Sequence, residues 1–276
     1  MKSTVIIPNY NGMKFIENCM RALEQDTSVK FHVCVVDNGS TDGTVEYLKS
    51  LTGIKTIFNT ENLGFSIGNN QGVELADGEF IGFLNNDILL SPNWFEECES
   101  VFEKENVAFI SPRHINPHFH KVNENNYLKY FSNKFHYKKD YEKTFDECQF
   151  SCVITKRSIL DKLGCFDENF TPAFFEDNDF KYRAIESGYD CFVSNKTCFF
   201  HYGSVTSEQL NHKFEDNRNY YYNKHRFAEY LSLYADENQA HRFQVRYFEQ
   251  FPMSVIYKIH LFNQKVMRNL KRIIKP

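Results

Sequence analysis

Short apolar, β-branched runs alternate along the chain with segments whose apolar residues recur every three or four positions. Residues 4–8 (TVIIP) read as a buried strand, and the polar turn NYNG leads into a helix over 15–25. Residues 31–37 (FHVCVVD) form the next strand. They are followed by the Gly/Asn/Ser loop NGSTDGT and a helix over 45–51. A third strand spans 54–58 and a helix follows over 67–76. A fourth strand, 80–84 (FIGFL), ends at Asn85-Asn86-Asp87. Ser91 and Pro92 read as the cap and first turn of another helix, before a fifth strand at 107–111.

Residues 112–147 lose this periodicity and read as a long excursion over the cleft, with short strands as an option within it. A strand resumes at 149–155. A short helix follows over 158–163, with Ser158 and Asp161 at capping-box spacing and Gly164 as its stop. Residues 177–187 form a helix opening on an acidic cluster, 189–200 hold one or two strands, and the chain beyond about 210 is helical. Strand–helix alternation at this spacing predicts an α/β fold with a mostly parallel, doubly wound central sheet and flanking helices. Ligands bind such sheets at the carboxyl ends of the strands. The polar clusters after Pro8, Asp37, Phe58 and Leu84 all fall at such ends.

Of the 276 residues, 42% are hydrophobic and 25% charged, which places the chain among globular proteins. No apolar run approaches the 18 or so residues of a membrane span. The segment MKSTVIIPNYNG has no h-region, so no signal peptide is expected. The eight Cys form no CxxC and read as reduced, mostly buried thiols of a cytoplasmic protein; a bridge or metal site at Cys148 and Cys152 has no support. The net charge of −4 is uneven. Residues 253–276 carry six cations and no acid, leaving 26 basic against 36 acidic side chains elsewhere, a balance of −10. So acidic a body is a poor match for nucleic acid.

Four clusters carry candidate chemistry. Asp87, beside Asn85 and Asn86 at a strand end, suits a hard divalent ion, though NND is also an ordinary turn. Glu176, Asp177 and Asp179 open a helix between aromatic residues. The helix dipole alone favours acids there, but a carboxylate against apolar rings also makes a general base. His201 reads as a structural residue or, paired with a carboxylate, as a ligand for a transition ion. Asp37 either caps its loop or accepts a ligand N–H. No GxGxxG follows a strand and no GxxxxGK[ST] occurs, which argues against dinucleotide and P-loop sites. His114, His118 and His120 have a spacing that could hold a metal, but Asn and Pro interrupt it, and an acceptor-side loop is the better reading. Trp94 reads as packing its helix, with acceptor stacking as the other option.

The ordered set VIIPNYNG, VVDNGSTDGT, NLGFSIGNNQG, FLNND, FFEDNDF and HYGS resembles inverting family 2 glycosyltransferases of GT-A fold, in their rhamnosyltransferase-like branch. The resemblance covers residues 3–206. It implies a GT-A domain over 1–206, with a nucleotide-binding part at about 1–111 and an acceptor and metal part at about 112–206. A helical extension over 207–276 completes the chain. By that resemblance Pro8, Asn9 and Tyr10 lie along the nucleotide, and Asp37 reads the base, which fits uracil or thymine. Asn62, Gly64, Phe65 and Asn70 surround the nucleoside and sugar. Asp87 is the metal-ligand position of the DXD motif, with Asn85 where many members carry the first Asp and Asn86 between them. Asp177 is the presumed catalytic base, supported by Glu176, with Asp179 orienting the site or the helix, and His201 completes the metal site.

The implied reaction is Mn²⁺- or Mg²⁺-dependent transfer of a sugar from a UDP- or dTDP-sugar to a hydroxyl of a glycan or lipid-linked acceptor, in bacterial surface polysaccharide synthesis. Two rivals stand beside it. One is a catalytically silent nucleotide-sugar binding protein; intact Asp87 and Asp177 argue against it. The other is a GT-A-like nucleotidyltransferase, which needs a basic Gly-rich triphosphate loop that PNYNG lacks. Residues 253–274 fit a basic amphipathic helix, placed either on the inner face of the cell membrane as a peripheral contact or against the protein body or a homodimer partner.

Overall fold

A computed structural model describes residues 3–25, 31–115, 122–134, 137–203 and 211–225. By compactness the chain divides into two units, 1–218 and 219–276. In the first, β1 (Ser3–Asn9), β2 (His32–Asp37), β3 (Ile54–Phe58) and β4 (Phe80–Leu84) pair in parallel in the order β3-β2-β1-β4. Helices α1 (Met13–Gln25), α2 (Thr44–Ser50) and α3 (Phe65–Leu75) make the crossovers. The chain runs outward from β1 to β3 and then returns to β4 on the other side of β1. The crevice beyond the ends of β1 and β4 is therefore the topological switch point, where such sheets bind ligands.

The other half of the sheet is mixed. β8 (Cys152–Lys156) pairs antiparallel with β4, and β6 (Val107–Ile115) antiparallel with β8. β9 (Asp190–His201) lies parallel to β6, with β5 (Ile88–Leu90) and β7 (Tyr141–Lys143) antiparallel on it. Side chains alternate across the sheet. Val5, Ile7 and Val35 join one apolar layer with Ile16, Leu48 and Trp94. Ile6, Cys34, Val36 and Phe83 join the other with Val73, Leu160 and Phe180. Trp94 is fully buried, so it packs the core and stacks no acceptor. All eight cysteines are free thiols, seven of them buried.

Helix α3 lies close on the sheet because Gly72 faces β1: a Cβ there would fall 2.2 Å from Ile6 Cγ2. Gly72→Val is expected to lower stability by about 1–3 kcal/mol, the usual cost of overpacking. Urea unfolding checks it; an unchanged midpoint would mean that the helix lifts freely off β1.

Several local expectations are corrected. Helix α4 (Trp94–Glu99) begins after left-handed Asn93, without a side-chain cap. Ser91 instead pairs its hydroxyl with Thr197 and accepts the Cys198 N–H at 3.0 Å, joining the end of β5 to β9. Helix α6 (Arg157–Leu163) opens one residue before Ser158, so no capping box forms; Gly164, at φ 75°, ends it. Residues 149–151 are a turn rather than strand. The segment 112–147 does not cross the cleft in its described part. It extends β6 to Ile115, forms helix α5 (Tyr127–Lys134) and adds β7 at a sheet edge. His114 stacks on Phe199 at 4.9 Å inside this layer; His118 and His120 lie outside the described residues. Helices α7 (Glu176–Glu186) and α8 (Asn211–Lys224) complete the described fold, and residues 253–274 also lie outside it. No described helix is long and apolar enough to cross a membrane.

Candidate active site

A cleft of about 450 Å³ opens at the switch point. Its floor is an amide and carboxylate network at the strand ends. Buried Asn9, the last residue of β1, donates from Nδ2 to Asp37 Oδ1 at 2.9 Å and accepts at Oδ1 from Asn86 Nδ2 at 2.6 Å. One side chain thus joins the ends of β1, β2 and β4. Asp37 also accepts from the Ser40 hydroxyl at 2.6 Å and the Ser40 N–H at 2.9 Å. Fully buried, it sits beneath the cleft rather than lining it. Its neighbour Asn38 lines the cleft instead, bonded to the Gly64 carbonyl at 3.1 Å and Asn59 at 2.8 Å.

On the next wall, Asn62 Oδ1 accepts the Gly64 N–H at 3.0 Å. Gly64 has φ 91°, and a Cβ there would meet the Pro172 carbonyl oxygen at 2.8 Å, so only Gly fits this approach. The Phe65 N–H then donates to that same oxygen at 2.8 Å. Asn70 turns away: it pins Phe166 through both backbone groups, at 2.9 and 3.0 Å, and does not line the cleft.

Asp87 and His201 come from distant parts of the chain. Antiparallel pairing of β5 with β9 sets Ile88 opposite His201, and the Tyr202 N–H donates to the Asp87 carbonyl at 3.0 Å. His201 Nε2 then lies 3.0 Å from Asp87 Oδ1, buried yet hydrogen-bonded to nothing. Asn85 Oδ1 beside them is buried and unpartnered as well. Orphaned acceptors of this kind fit a cation. Two protein ligands are few for a closed metal site, and no group of three or more His, Cys, Asp or Glu placed to hold a metal ion occurs among the described residues. An open site completed by a ligand's own oxygens is the form they fit.

Helix α7 brings Glu176 and Asp177 into the same cleft. Glu176 is buried with Oε2 unpartnered. Burial, and then the adjacent Asp177 charge, raise its pKa from 4.5 to about 8. Asp177 is half-buried, with Lys181 Nζ 3.7 Å from its Oδ2. Asp179 is fully buried beneath them and paired at 2.8 Å with Arg183, which also donates to the Leu163 and Cys165 carbonyls. It holds the helix and does not line the cleft.

The folded state therefore keeps the Glu176 proton to about pH 8, while the unfolded chain releases it near 4.5. Its contribution to stability is whole below about pH 4.5 and is lost as pH rises to about 8. Glu176→Gln should remove that loss. Chemical unfolding of both proteins at pH 5 and pH 8 checks it; an equal pH dependence would mean that Glu176 is ionised in the fold.

Of the fifteen residues to which the resemblance gives a role, twelve line one cleft, and Asp37, Asn70 and Asp179 do not. The sequence reading missed Asn38, the turn Gln149-Phe150-Ser151 and the loop Pro172-Ala173-Phe174. Asn38 was adjacent to a named residue, and Pro172–Phe174 lead directly into the acidic cluster. Nothing local marks 149–151, which reach the cleft because the Ser151 carbonyl accepts the Asn85 N–H at 2.8 Å.

Residues 4–164 match the family model described as Glycosyl transferase family 2. The O-antigen chain rhamnosyltransferase RfbN of Salmonella typhimurium is 29% identical over 204 residues, covering 68% of this chain and 62% of that protein. The chondroitin synthase of Pasteurella multocida is 32% identical over 120 residues, 41% of this chain; the match spans only 12% of the synthase. Among solved structures, S. aureus TarS 1–349 aligns with TM-score 0.56 at 19% identity, over 73% of this chain and 60% of its own. The mannosyltransferase PcManGT from Pyrobaculum calidifontis, in complex with GDP-Man and Mn²⁺, aligns with TM-score 0.58 at 17% identity, over 74% and 58%. At such identities the likeness is one of fold.

Proposed function

The chain belongs to glycosyl transferase family 2 and has the GT-A fold, and from that premise we propose that it is an inverting, divalent-metal-dependent transferase using a UDP- or dTDP-sugar. One observation carries the metal dependence. The cleft that would hold a diphosphate is lined by Asp87, Glu176 and Asp177 and by no Lys or Arg among the described residues. With Glu176 largely neutral, two carboxylates and no Lys or Arg among the described lining residues leave the donor's negative charge to a bound ion. Asp87 and His201 would hold Mn²⁺ or Mg²⁺, which when bound supplies Lewis-acid neutralisation of the leaving diphosphate.

The chain's own residues do the rest. Asn9, Asn38 and Asn62, tied to one another's loops, fix the wall along the nucleoside. Asp177 takes the proton from an acceptor hydroxyl, whose oxygen forms a bond to the anomeric carbon as the bond to the diphosphate breaks. Attack from the face opposite the leaving group inverts configuration and needs no covalent enzyme intermediate. TarS has been captured with UDP and with UDP-GlcNAc, and PcManGT with GDP-Man and Mn²⁺; these support a nucleotide-sugar donor without choosing the base. RfbN and the chondroitin synthase support a role in polysaccharide synthesis, for which the proposed acceptor is a hydroxyl of a glycan or lipid-linked sugar.

Calorimetric titration with UDP, dTDP, GDP and CDP, each with Mn²⁺, Mg²⁺ or EDTA, tests the donor side. Metal-dependent binding of UDP or dTDP is the expected result. Failure of every diphosphate to bind would remove the reading, and pyrophosphate release with a sugar 1-phosphate would favour a nucleotidyltransferase. For residues 253–276 we propose peripheral membrane contact in the cytoplasm through their six cations. Deleting them should abolish binding to anionic liposomes; undiminished binding would exclude it.

A further inference from the structure

The loop that leads into the catalytic helix is held in a conformation it would not choose alone. Phe174 and Phe175, two consecutive residues with full side chains, have φ 83° and 69°. Such left-handed backbone is rare outside glycine and persists only where its surroundings impose it. Phe175 is the last residue before α7, so these two torsion pairs set the direction in which Glu176 and Asp177 leave the loop. Phe174 itself lines the cleft.

What imposes the conformation comes from α8. Asn217 is buried, and its Nδ2 donates to the Ala173 carbonyl at 2.7 Å, with the Phe174 and Thr171 carbonyls at 3.3 and 3.4 Å. One amide thus gathers three carbonyls of the loop. Three residues earlier on the same helix face, Phe214 sets its ring against both strained aromatics, 5.4 Å from Phe174 and 5.1 Å from Phe175. The donor side of the loop has a separate anchor, the Phe65 N–H on the Pro172 carbonyl at 2.8 Å.

We propose that Asn217 and Phe214 are positioning residues for sugar transfer: they clamp the strained 171–175 loop and so aim Asp177 at the acceptor hydroxyl, without touching either substrate. This rests on the transferase reading above. A displacement of about 1 Å in a catalytic group can cost about 10²-fold in rate. In the full-length protein, Asn217→Ala should therefore lower kcat about 10-fold or more, and Phe214→Leu, at a half-exposed ring, about 3–10-fold. Affinity for UDP with Mn²⁺ should stay within about twofold of wild type, because the donor wall keeps its own anchor. Chymotrypsin should cut after Phe174 or Phe175 faster in both variants, with sites mapped by fragment mass.

Phe214→Leu keeps the test open if Asn217→Ala does not fold. The proposal is overturned by kcat within about twofold of wild type at unchanged protease resistance, or by losses of kcat and UDP affinity in equal proportion, which would mark a general structural role. If the wild-type protein transfers no sugar, the transferase reading fails on its own. The chymotrypsin comparison still decides whether the clamp exists.

Discussion

Asp177→Asn is expected to leave metal-dependent nucleotide binding intact and to lower kcat about 10²-fold or more, the scale of a lost general base. The substitution keeps shape and hydrogen-bonding capacity and removes only the ability to take a proton. The two carboxylates at the start of α7 differ in how their surroundings treat them. Glu176 is buried with a raised pKa, so it stays largely neutral at pH 7. Asp177 lines the cleft and is more open to it, with the Lys181 ammonium 3.7 Å from its Oδ2. Steady-state kinetics with calorimetric donor binding measures both quantities. Near-wild-type turnover would move the role to another group, Glu176 first; lost nucleotide binding would make Asp177 part of the donor site.

The second large effect belongs to Asp87 and His201. Asp87→Ala should abolish the metal-dependent part of nucleotide diphosphate affinity, and His201→Ala should weaken it about 10-fold or more. The cause is electrostatic. Unit charges 4 Å apart interact by about 4 kcal/mol at an effective dielectric of 20, and this cleft offers a diphosphate carboxylates and no Lys or Arg among its described residues. Without an ion the balance opposes binding, so losing a ligand to the ion should cost more than losing a single hydrogen bond to the donor. Titration of UDP with Mn²⁺ and with EDTA reads the difference directly. Affinity that is independent of metal in the wild-type protein, or retained in Asp87→Ala, would take the ion out of the mechanism.

These two predictions draw on different kinds of legibility. Asp87 and Asp177 could be named from the chain because each ends or opens an element, and turn and helix-start chemistry is local. Asp37 was equally conspicuous at the end of β2, yet it lies beneath the cleft and its carboxylate already accepts from Asn9 and Ser40. Whether a strand-end acid faces a ligand or its own loop depends on what the neighbouring strand presents. Asn70 misled in the same way, since its partner Phe166 lies far along the chain. Ser91 and Ser158 had the right residue types for caps, but pairing with Thr197 took one, and the actual start of α6 left the other inside its helix.

Local pattern along the chain was enough to mark most of the succession of elements, the two-faced apolar alternation that makes a layered α/β core, and the polar clusters that meet at the strand ends. Those properties follow from periodicity and from the backbone freedom of turn residues, both read over a few positions. Long-range packing decided that the second half of the sheet is mixed and that His201 meets Asp87. It also decided that residues 149–151 reach the cleft and that Asn217 holds the loop before Asp177. Each of these depends on register between segments remote in sequence, and register is set by the packing of whole layers, not by any local pattern.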